Sequence, residues 1–126
     1  GYGWHVENAY EASKTLESYR SFICGSRGEL TVAKDMNVRL RSGWFSERSA
    51  CYLAAGKPVV TQETGFSKSL PTGLGLHAFR TLEDIPAAIE AINSDYQKHA
   101  QAAKEIAVEY FDAEKVLRQV LSEAGV

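Results

Sequence analysis

Short apolar segments alternate with longer helical patterns along the chain. Val59 and Val60 stand side by side in one such segment, and adjacent β-branched residues are typical of a parallel strand buried on both faces. Strands that alternate with helices predict a Rossmann-like α/β domain, in which a parallel sheet of about four strands is flanked by helices. The strands are predicted at residues 3–6, 29–33, 58–61 and 76–79.

Helical patterns precede two of these strands. The first predicted helix spans residues 9–23, and the second begins at Ser46, whose hydroxyl can cap a helix. Gly56 ends the second helix because glycine accepts a left-handed backbone, and Pro58 cannot continue it. The spacing of apolar residues predicts a buried side made of Ala12, Leu16, Tyr19, Phe22 and Ile23 in the first helix, and of Ala50, Cys51, Leu53 and Ala54 in the second.

Residues 81–126 are predicted to form a helical tail. An apolar stripe runs over residues 85–111 and breaks into two helices at residues 93–95. Asp112 can cap a last helix. The inward positions of that helix are predicted to be Val116, Leu117, Val120 and Leu121.

The composition fits one globular domain. The chain has 126 residues, 44% hydrophobic and 24% charged, so residues 1–126 can bury a core as a single domain. The formal net charge of −2 argues against nucleic acid as a partner, because such binders usually carry a basic face. No apolar run approaches the about 20 residues that a membrane span needs. Two cysteines are too few for a disulfide framework, so we expect a cytoplasmic protein with reduced thiols.

The first residues indicate a longer protein. The sequence opens directly on an apolar segment and has no initiator methionine. We therefore expect the chain to be a piece of a longer polypeptide, with some parts of its active site outside this sequence.

The segment ahead of Ser46 is a candidate anion site. Parallel sheets bind ligands at the carboxyl ends of their strands, and a helix N-terminus there offers free amides and a positive dipole. Gly43 lets a phosphate approach the backbone, Ser46 offers a hydroxyl, and Arg41 or Arg48 could add a bidentate contact. A capped helix with solvated arginines is the equally weighted alternative. Glu47 is favourable in a first helical turn without any function, and it would repel a phosphate unless it binds sugar hydroxyls.

The loop after the strand at residues 58–61 is the second candidate. Gln62 and Glu63 could bond the hydroxyls of a sugar, while Thr64 and Gly65 could approach a phosphate through the backbone. A plain loop remains nearly as well supported. Trp44 and Phe66 form either a wall for a base or sugar ring or part of the core, and the core is the commoner place for aromatic residues.

The histidines and cysteines predict no metal site. His5, His77 and His99 are far apart in sequence and lack metal-ligand spacing with Cys24 and Cys51. Cys51 is predicted to be a small core residue. His99 is expected to be packed or half exposed, and His77, beside the last strand, is the stronger functional candidate.

Residues 39–66 carry the most specific pattern in the chain, RLRSGWFSERSACYLAAGKPVVTQETGF. This segment resembles the donor-side half of GT-B glycosyltransferases, in particular a bacterial group of family-1-type glycosyltransferases. In that group a Gly-Trp-Phe-Ser-acidic-Arg-Ser run leads into Tyr-Leu-Ala-Ala-Gly-basic-Pro-Val. The resemblance covers most of the chain, since the same group is matched at residues 70–73, 95–96, 110–113 and 116–117.

The resemblance implies two Rossmann-like domains with a cleft between them, of which this chain would be the C-terminal, donor-binding one. That domain holds a nucleoside-diphosphate sugar as donor substrate, usually without a metal, so no further cofactor is expected. The N-terminal domain would be the partner in the same polypeptide and would supply the base of inverting enzymes, so this part alone is expected to be inactive. The residues implied in donor binding are Arg41, Ser42, Gly43, Trp44, Phe45, Ser46, Arg48, Glu63, Thr64 and Gly65.

One departure from the family pattern supports an alternative. Many retaining GT-B enzymes carry a pair of glutamates at positions that fall near Gly43 and Cys51, and neither residue is acidic here. This argues against retaining chemistry and slightly favours a non-catalytic α/β module for binding or regulation. Arginines converging on the helix N-terminus at Ser46 would support the transferase, and arginines scattered in solvent would support the module. In the transferase, the helix after Asp112 is expected to pack on the N-terminal domain.

Overall fold

A sheet of three parallel strands forms the centre of the computed structural model, which describes residues 2–126. The strands are β1 (Glu29–Thr31), β2 (Val59–Gln62) and β3 (Leu76–Phe79), side by side in that order. The central strand β2 pairs with both neighbours in parallel. The predicted α/β class, with a parallel sheet, flanking helices and a helical C-terminal segment, is confirmed.

Seven α-helices connect and cover the strands in the described part of the chain. Two of them lie between β1 and β2, and a loop with one 3₁₀ turn (Phe66–Lys68) leads from β2 to β3. The helices are α1 (Ala9–Ser13), α2 (Leu16–Gly25), α3 (Asp35–Arg39), α4 (Glu47–Ala54), α5 (Asp84–Ser94), α6 (Tyr96–Tyr110) and α7 (Ala113–Glu123). Within residues 2–126, none of these helices has the length and apolar composition to cross a membrane.

The sheet has an apolar core on each face. Val59 packs on one face and Val60 on the other, and both are buried, as their adjacency in the sequence predicts. The core around Val59 is built with α4 and α6, and it contains Leu53, Leu76, Ala103 and Ile106. The core around Val60 is built with α5, and it contains Phe79, Ala88 and Ile92.

The predicted strand at residues 3–6 is not a strand in the structure. Tyr2, Trp4 and Val6 are 98%, 80% and 87% exposed. The apolar residues of this alternating segment are therefore not buried against any other described part of the chain. An alternating pattern forms a strand only where a neighbouring strand and a core are present. The edge of β1 away from β2 is unpaired among the described residues, and Leu30 and Val32 are exposed.

The predicted helix over residues 9–23 is divided into α1 and α2. The Thr15 hydroxyl accepts the amide of Ser18 at 3.0 Å, and the Ser18 hydroxyl in turn accepts the amide of Thr15. This capping box starts a new helix at Leu16 and interrupts the apolar stripe. Only Ile23 of the predicted stripe is fully buried, and Leu16 is exposed.

The ends of α4 are as predicted, and so is the burial of Leu53, but the rest of the predicted buried face is wrong. Ser46 accepts the amide of Arg48, and Gly56 adopts a left-handed φ of +70° after the last turn. The buried residues are Ser49, Tyr52 and Leu53, whereas Cys51 and Ala54 are exposed. The prediction of Cys51 as a core residue is therefore wrong. The helix turns its Ser49 side inward because a buried carboxylate from β1 accepts the Ser49 hydroxyl.

The last helix begins where predicted, with the Asp112 side chain accepting the amide of Lys115 at 3.0 Å. Its apolar face does not point inward. The exposed fractions of Val116, Leu117, Val120 and Leu121 are 42%, 61%, 55% and 50%. The periodicity correctly predicts an amphipathic helix, but it cannot specify what the apolar face contacts.

A glycine pair gives a test of the packing between β3 and α6. A Cβ at Gly75 would lie 2.5 Å from the Ala103 amide nitrogen, whereas one at Gly73 would meet nothing within 4 Å. Both glycines have positive φ, so Gly73→Ala measures the left-handed strain alone, about 1 kcal/mol. We expect Gly75→Ala to lower the free energy of unfolding by at least about 2 kcal/mol more than Gly73→Ala does, because the backbone of α6 must move to make room for the Cβ. Urea denaturation of both variants measures the difference, and equal values would contradict this packing.

Candidate functional site

Two loops meet at the carboxyl end of the sheet. The Gly43 amide donates to the Thr64 carbonyl at 2.9 Å, and the Thr64 hydroxyl donates to the Trp44 carbonyl at 2.6 Å. One loop follows α3 and leads into the N-terminus of α4, and the other follows β2. The structure thus brings the two predicted segments, residues 41–46 and 63–65, into direct contact.

The two glycines of this contact have different physical roles. A Cβ at Gly65 would lie 3.1 Å from the Arg41 carbonyl oxygen, so Gly65 permits the close approach of the loops. Gly43 also has positive φ, +79°, but a Cβ there would meet nothing within 4 Å. Gly43 therefore faces open space, which leaves its backbone approachable from outside.

The loop before α4 holds a strained residue. Arg41 has φ of +49°, and it is the only non-glycine residue with positive φ among residues 2–126. Ser42 stabilises the turn, since its hydroxyl donates to Asn37 and accepts the Trp44 amide at 3.2 Å. Left-handed strain of this kind persists only where the surroundings hold it, and it is frequent at functional sites. The Arg41 side chain is exposed.

A cavity of 640 Å³ lies at the N-terminus of α4, and its volume is within the range of small-molecule sites. Trp44 forms part of its wall and is 40% exposed. Phe45 also borders the cavity, but its ring packs on Phe66 and Phe111 at centroid distances of 5.3 and 5.5 Å. Phe66 is buried in the core, which is the commoner of the two places considered for it, so Trp44 has no wall partner in Phe66. The remaining lining residues are Tyr19, Ser46, Glu47, Arg48 and Cys51.

Arg48 is bound within the protein. Its Nε donates to the Glu29 carboxylate at 2.5 Å, and its Nη2 donates to the Thr31 hydroxyl at 2.8 Å. The hydrogen bond to Glu29 raises the pKa of the Arg48 guanidinium. Of the two arginines that could add a contact at the N-terminus at Ser46, Arg48 is therefore engaged with Glu29 and Thr31. Arg39 is also paired, with Asp35 in the helix turn before it.

Glu29 is a site-positioning residue that sequence reasoning missed. It is 8% exposed, and its second carboxylate oxygen accepts the Ser49 hydroxyl at 2.5 Å. With Arg48 on the other oxygen, this one carboxylate binds two residues of the first turn of α4 to β1. A glutamate at the start of an apolar strand, two residues before Thr31 on the same face, is the signal that could have indicated it.

Glu63 and Gln62 stabilise their own surroundings. Glu63 is 3% exposed and accepts the Gly65 amide at 2.5 Å. Burial alone would raise the pKa of Glu63, but hydrogen bonds from Ser67 and Gly65 and the charge of Arg80 outweigh it and lower the pKa. The Gln62 side chain accepts the Ala33 amide at 3.2 Å. In this structure the two side chains shape the loop, and neither is a free hydrogen-bonding group as predicted for a sugar contact.

His77 on β3 and His99 on α6 form a pair. His99 is buried, as expected, and its Nδ1 accepts the Gly75 amide at 3.0 Å. His77 Nε2 lies 3.2 Å from the same atom, and the rings stack at 5.1 Å. Burial and the neighbouring His99 lower the pKa of His77. No group of three or more His, Cys, Asp or Glu side chains in residues 2–126 is arranged to hold a metal ion.

Comparison with known proteins identifies no relative of this chain. No family model, no curated protein and no solved structure matches the chain.

The exposed ion pair between Asp35 and Arg39 serves as a comparison for the ion pair between Glu29 and Arg48. Glu29→Gln removes the charge and places an amide against the donors of Arg48 and Ser49, so we expect a loss of about 2 kcal/mol in unfolding free energy. Asp35→Asn breaks the pair with Arg39, in which both side chains are more than three-quarters exposed. It should change the free energy of unfolding by less than about 0.5 kcal/mol. Chemical denaturation measures both variants. A loss in Glu29→Gln no larger than in Asp35→Asn would contradict the positioning role.

Proposed function

We propose that this chain is the C-terminal, donor-binding part of a GT-B glycosyltransferase, which moves a sugar from a nucleoside-diphosphate sugar to an acceptor. The observation that carries the proposal is the hydrogen bond from the Gly43 amide to the Thr64 carbonyl. It joins the turn ahead of α4 to the loop after β2, at the carboxyl end of a parallel sheet. Ligands of open parallel sheets bind at that end. The resemblance of residues 42–66 to the donor half of these enzymes supports the same assignment.

In this proposal the diphosphate lies at the N-terminus of α4. The first turn of a helix has amides without intrahelical partners and carries partial positive charge. A Cβ at Gly43 would meet nothing within 4 Å, so the turn leaves room for a ligand, and Arg41 supplies a guanidinium that has no ion pair among the described residues. Trp44, at the wall of the adjoining cavity, provides a surface on which a base or ribose can pack.

The chemical contribution of this site would be electrostatic. When the bond between the anomeric carbon and the diphosphate oxygen breaks, its electron pair passes to the diphosphate. The helix N-terminus and Arg41 would stabilise that developing charge, and preorganised groups do so at little reorganisation cost. The acceptor and its base belong to the other domain in this proposal, which makes the isolated chain a binding unit.

Two surfaces are consistent with a larger GT-B protein. The unpaired edge of β1, beside the exposed Leu30 and Val32, can accept a further strand of a larger sheet. The apolar face of α7 is exposed along its length and can pack on the N-terminal domain. An exposed apolar face of this extent usually marks an interaction surface.

A non-catalytic α/β module is the second candidate, and one observation favours it. Arg48, the arginine of the Gly-Trp-Phe-Ser-acidic-Arg-Ser run, binds Glu29 rather than pointing at the N-terminus of α4. The positive charge at the N-terminus of α4 then comes from Arg41 and from the dipole of the helix alone. Such a module would still have the contact between the loop before α4 and the loop after β2, but it would bind a nucleotide weakly or not at all.

An amide chemical-shift titration with UDP, GDP, dTDP and ADP tests the proposal. We expect one nucleotide to shift the amides of residues 43–47 and 64–66 with a saturating curve. Arg41→Gln should weaken this binding about tenfold, because a charge-assisted contact to phosphate is lost. Arg39→Gln is the matched control, since that arginine is exposed and pairs with Asp35.

Two results would contradict the proposal. One is the absence of saturable shifts with all four nucleotides at millimolar concentration, which favours the non-catalytic module. The other is binding that Arg41→Gln and Arg39→Gln weaken equally, because the diphosphate would then not lie at the turn before α4.

A further inference from the structure

A second cavity, of 430 Å³, lies between β3 and α5, away from the cavity at α4. Its floor is made of alanines on α5, and its polar walls come from the loops after β2 and β3 and from β3 itself. The volume is within the range of small-molecule sites. The lining residues are Glu63, Ser67, Thr72, His77, Ala78, Arg80, Asp84, Ala87, Ala88 and Ala91.

The charged groups of this cavity have defined states. The Asp84 carboxylate accepts the backbone amides of Arg80 and Thr81 at 2.8 and 2.9 Å, and these bonds lower the pKa of Asp84. The pKa of Glu63 is lowered as described above, so both carboxylates are ionised at neutral pH. The lowered pKa of His77 keeps its imidazole neutral there.

These states exclude a strongly charged ligand. Two carboxylates stand against one guanidinium, that of Arg80, so an anion such as phosphate would meet net negative charge. Both carboxylates already accept amide hydrogen bonds, which leaves less of their charge for a cation.

The walls offer donors and acceptors side by side. Arg80 donates, Asp84 accepts and the Thr72 hydroxyl does both, while Glu63 is already bonded to Gly65 and Ser67 and shapes the wall. A ligand that matches such a mixture carries many hydroxyl groups, each of which also donates and accepts. Ala87, Ala88 and Ala91 give the cavity an apolar side, against which the carbon face of a pyranose ring can pack.

We propose that this cavity binds one neutral saccharide unit, held by Arg80, Asp84 and Thr72 above the alanines of α5. The site is separate from the nucleotide site at α4, so it goes beyond the proposed function and does not depend on it. It gives the chain a means of holding a glycan whichever of the two candidate functions is correct.

An amide chemical-shift titration with methyl glycosides of glucose, galactose, mannose and N-acetylglucosamine tests this site. We expect at least one of them to shift the amides of His77, Arg80, Ala87 and Ala91 in a saturable way, with residues 43–47 unmoved. Inorganic phosphate and glucosamine are the anionic and cationic comparisons, and neither should bind more tightly than the neutral sugars.

Arg80→Gln and Arg118→Gln form a matched pair of variants. Both arginines are exposed, so both variants should fold, and an overlay of their amide spectra with that of the unmodified protein checks this. Arg80→Gln should weaken sugar binding about tenfold, whereas Arg118→Gln, on α7, should leave it unchanged. The proposal is overturned if no neutral sugar shifts these amides, if phosphate or glucosamine binds more tightly, or if the two variants bind equally well.

Discussion

The burial of β2 on both faces is the constraint on which the rest of the structure depends. Val59 and Val60 are 0% and 3% exposed, so each face of the sheet must be covered by helices. Parallel neighbours require long connections that return to the same end of the sheet. The loop before α4 and the loop after β2 therefore meet at one edge, where Gly43 and Thr64 can bond. The candidate site is a consequence of that arrangement.

A buried carboxylate then fixes how α4 sits on the sheet. Glu29 binds Arg48 and Ser49 together, which aligns the first turn of the helix with β1. The same contact removes Arg48 from the set of groups that could meet an anion. Of the two arginines, Arg48 thus positions the helix, and Arg41 remains exposed.

Local signals in the sequence predicted what local physics determines. The strand at Val59 and Val60, the cap at Ser46 and the stop at Gly56 are all present, because each depends on residues close in sequence. The failures depend on partners far along the chain. Ser49 is buried by a carboxylate 20 residues away, which turns Cys51 outward and could not be read from the periodicity of α4. Residues 3–6 have strand-like alternation but no neighbouring strand.

A crystal structure of the chain with the nucleoside diphosphate that it binds best is the most direct test of the central claim. The account predicts the phosphates at the N-terminus of α4, within hydrogen-bonding distance of the free backbone amides there, with the Arg41 guanidinium alongside. A nucleotide bound elsewhere on the sheet, or phosphates pointing into solvent with Arg41 turned away, would contradict it.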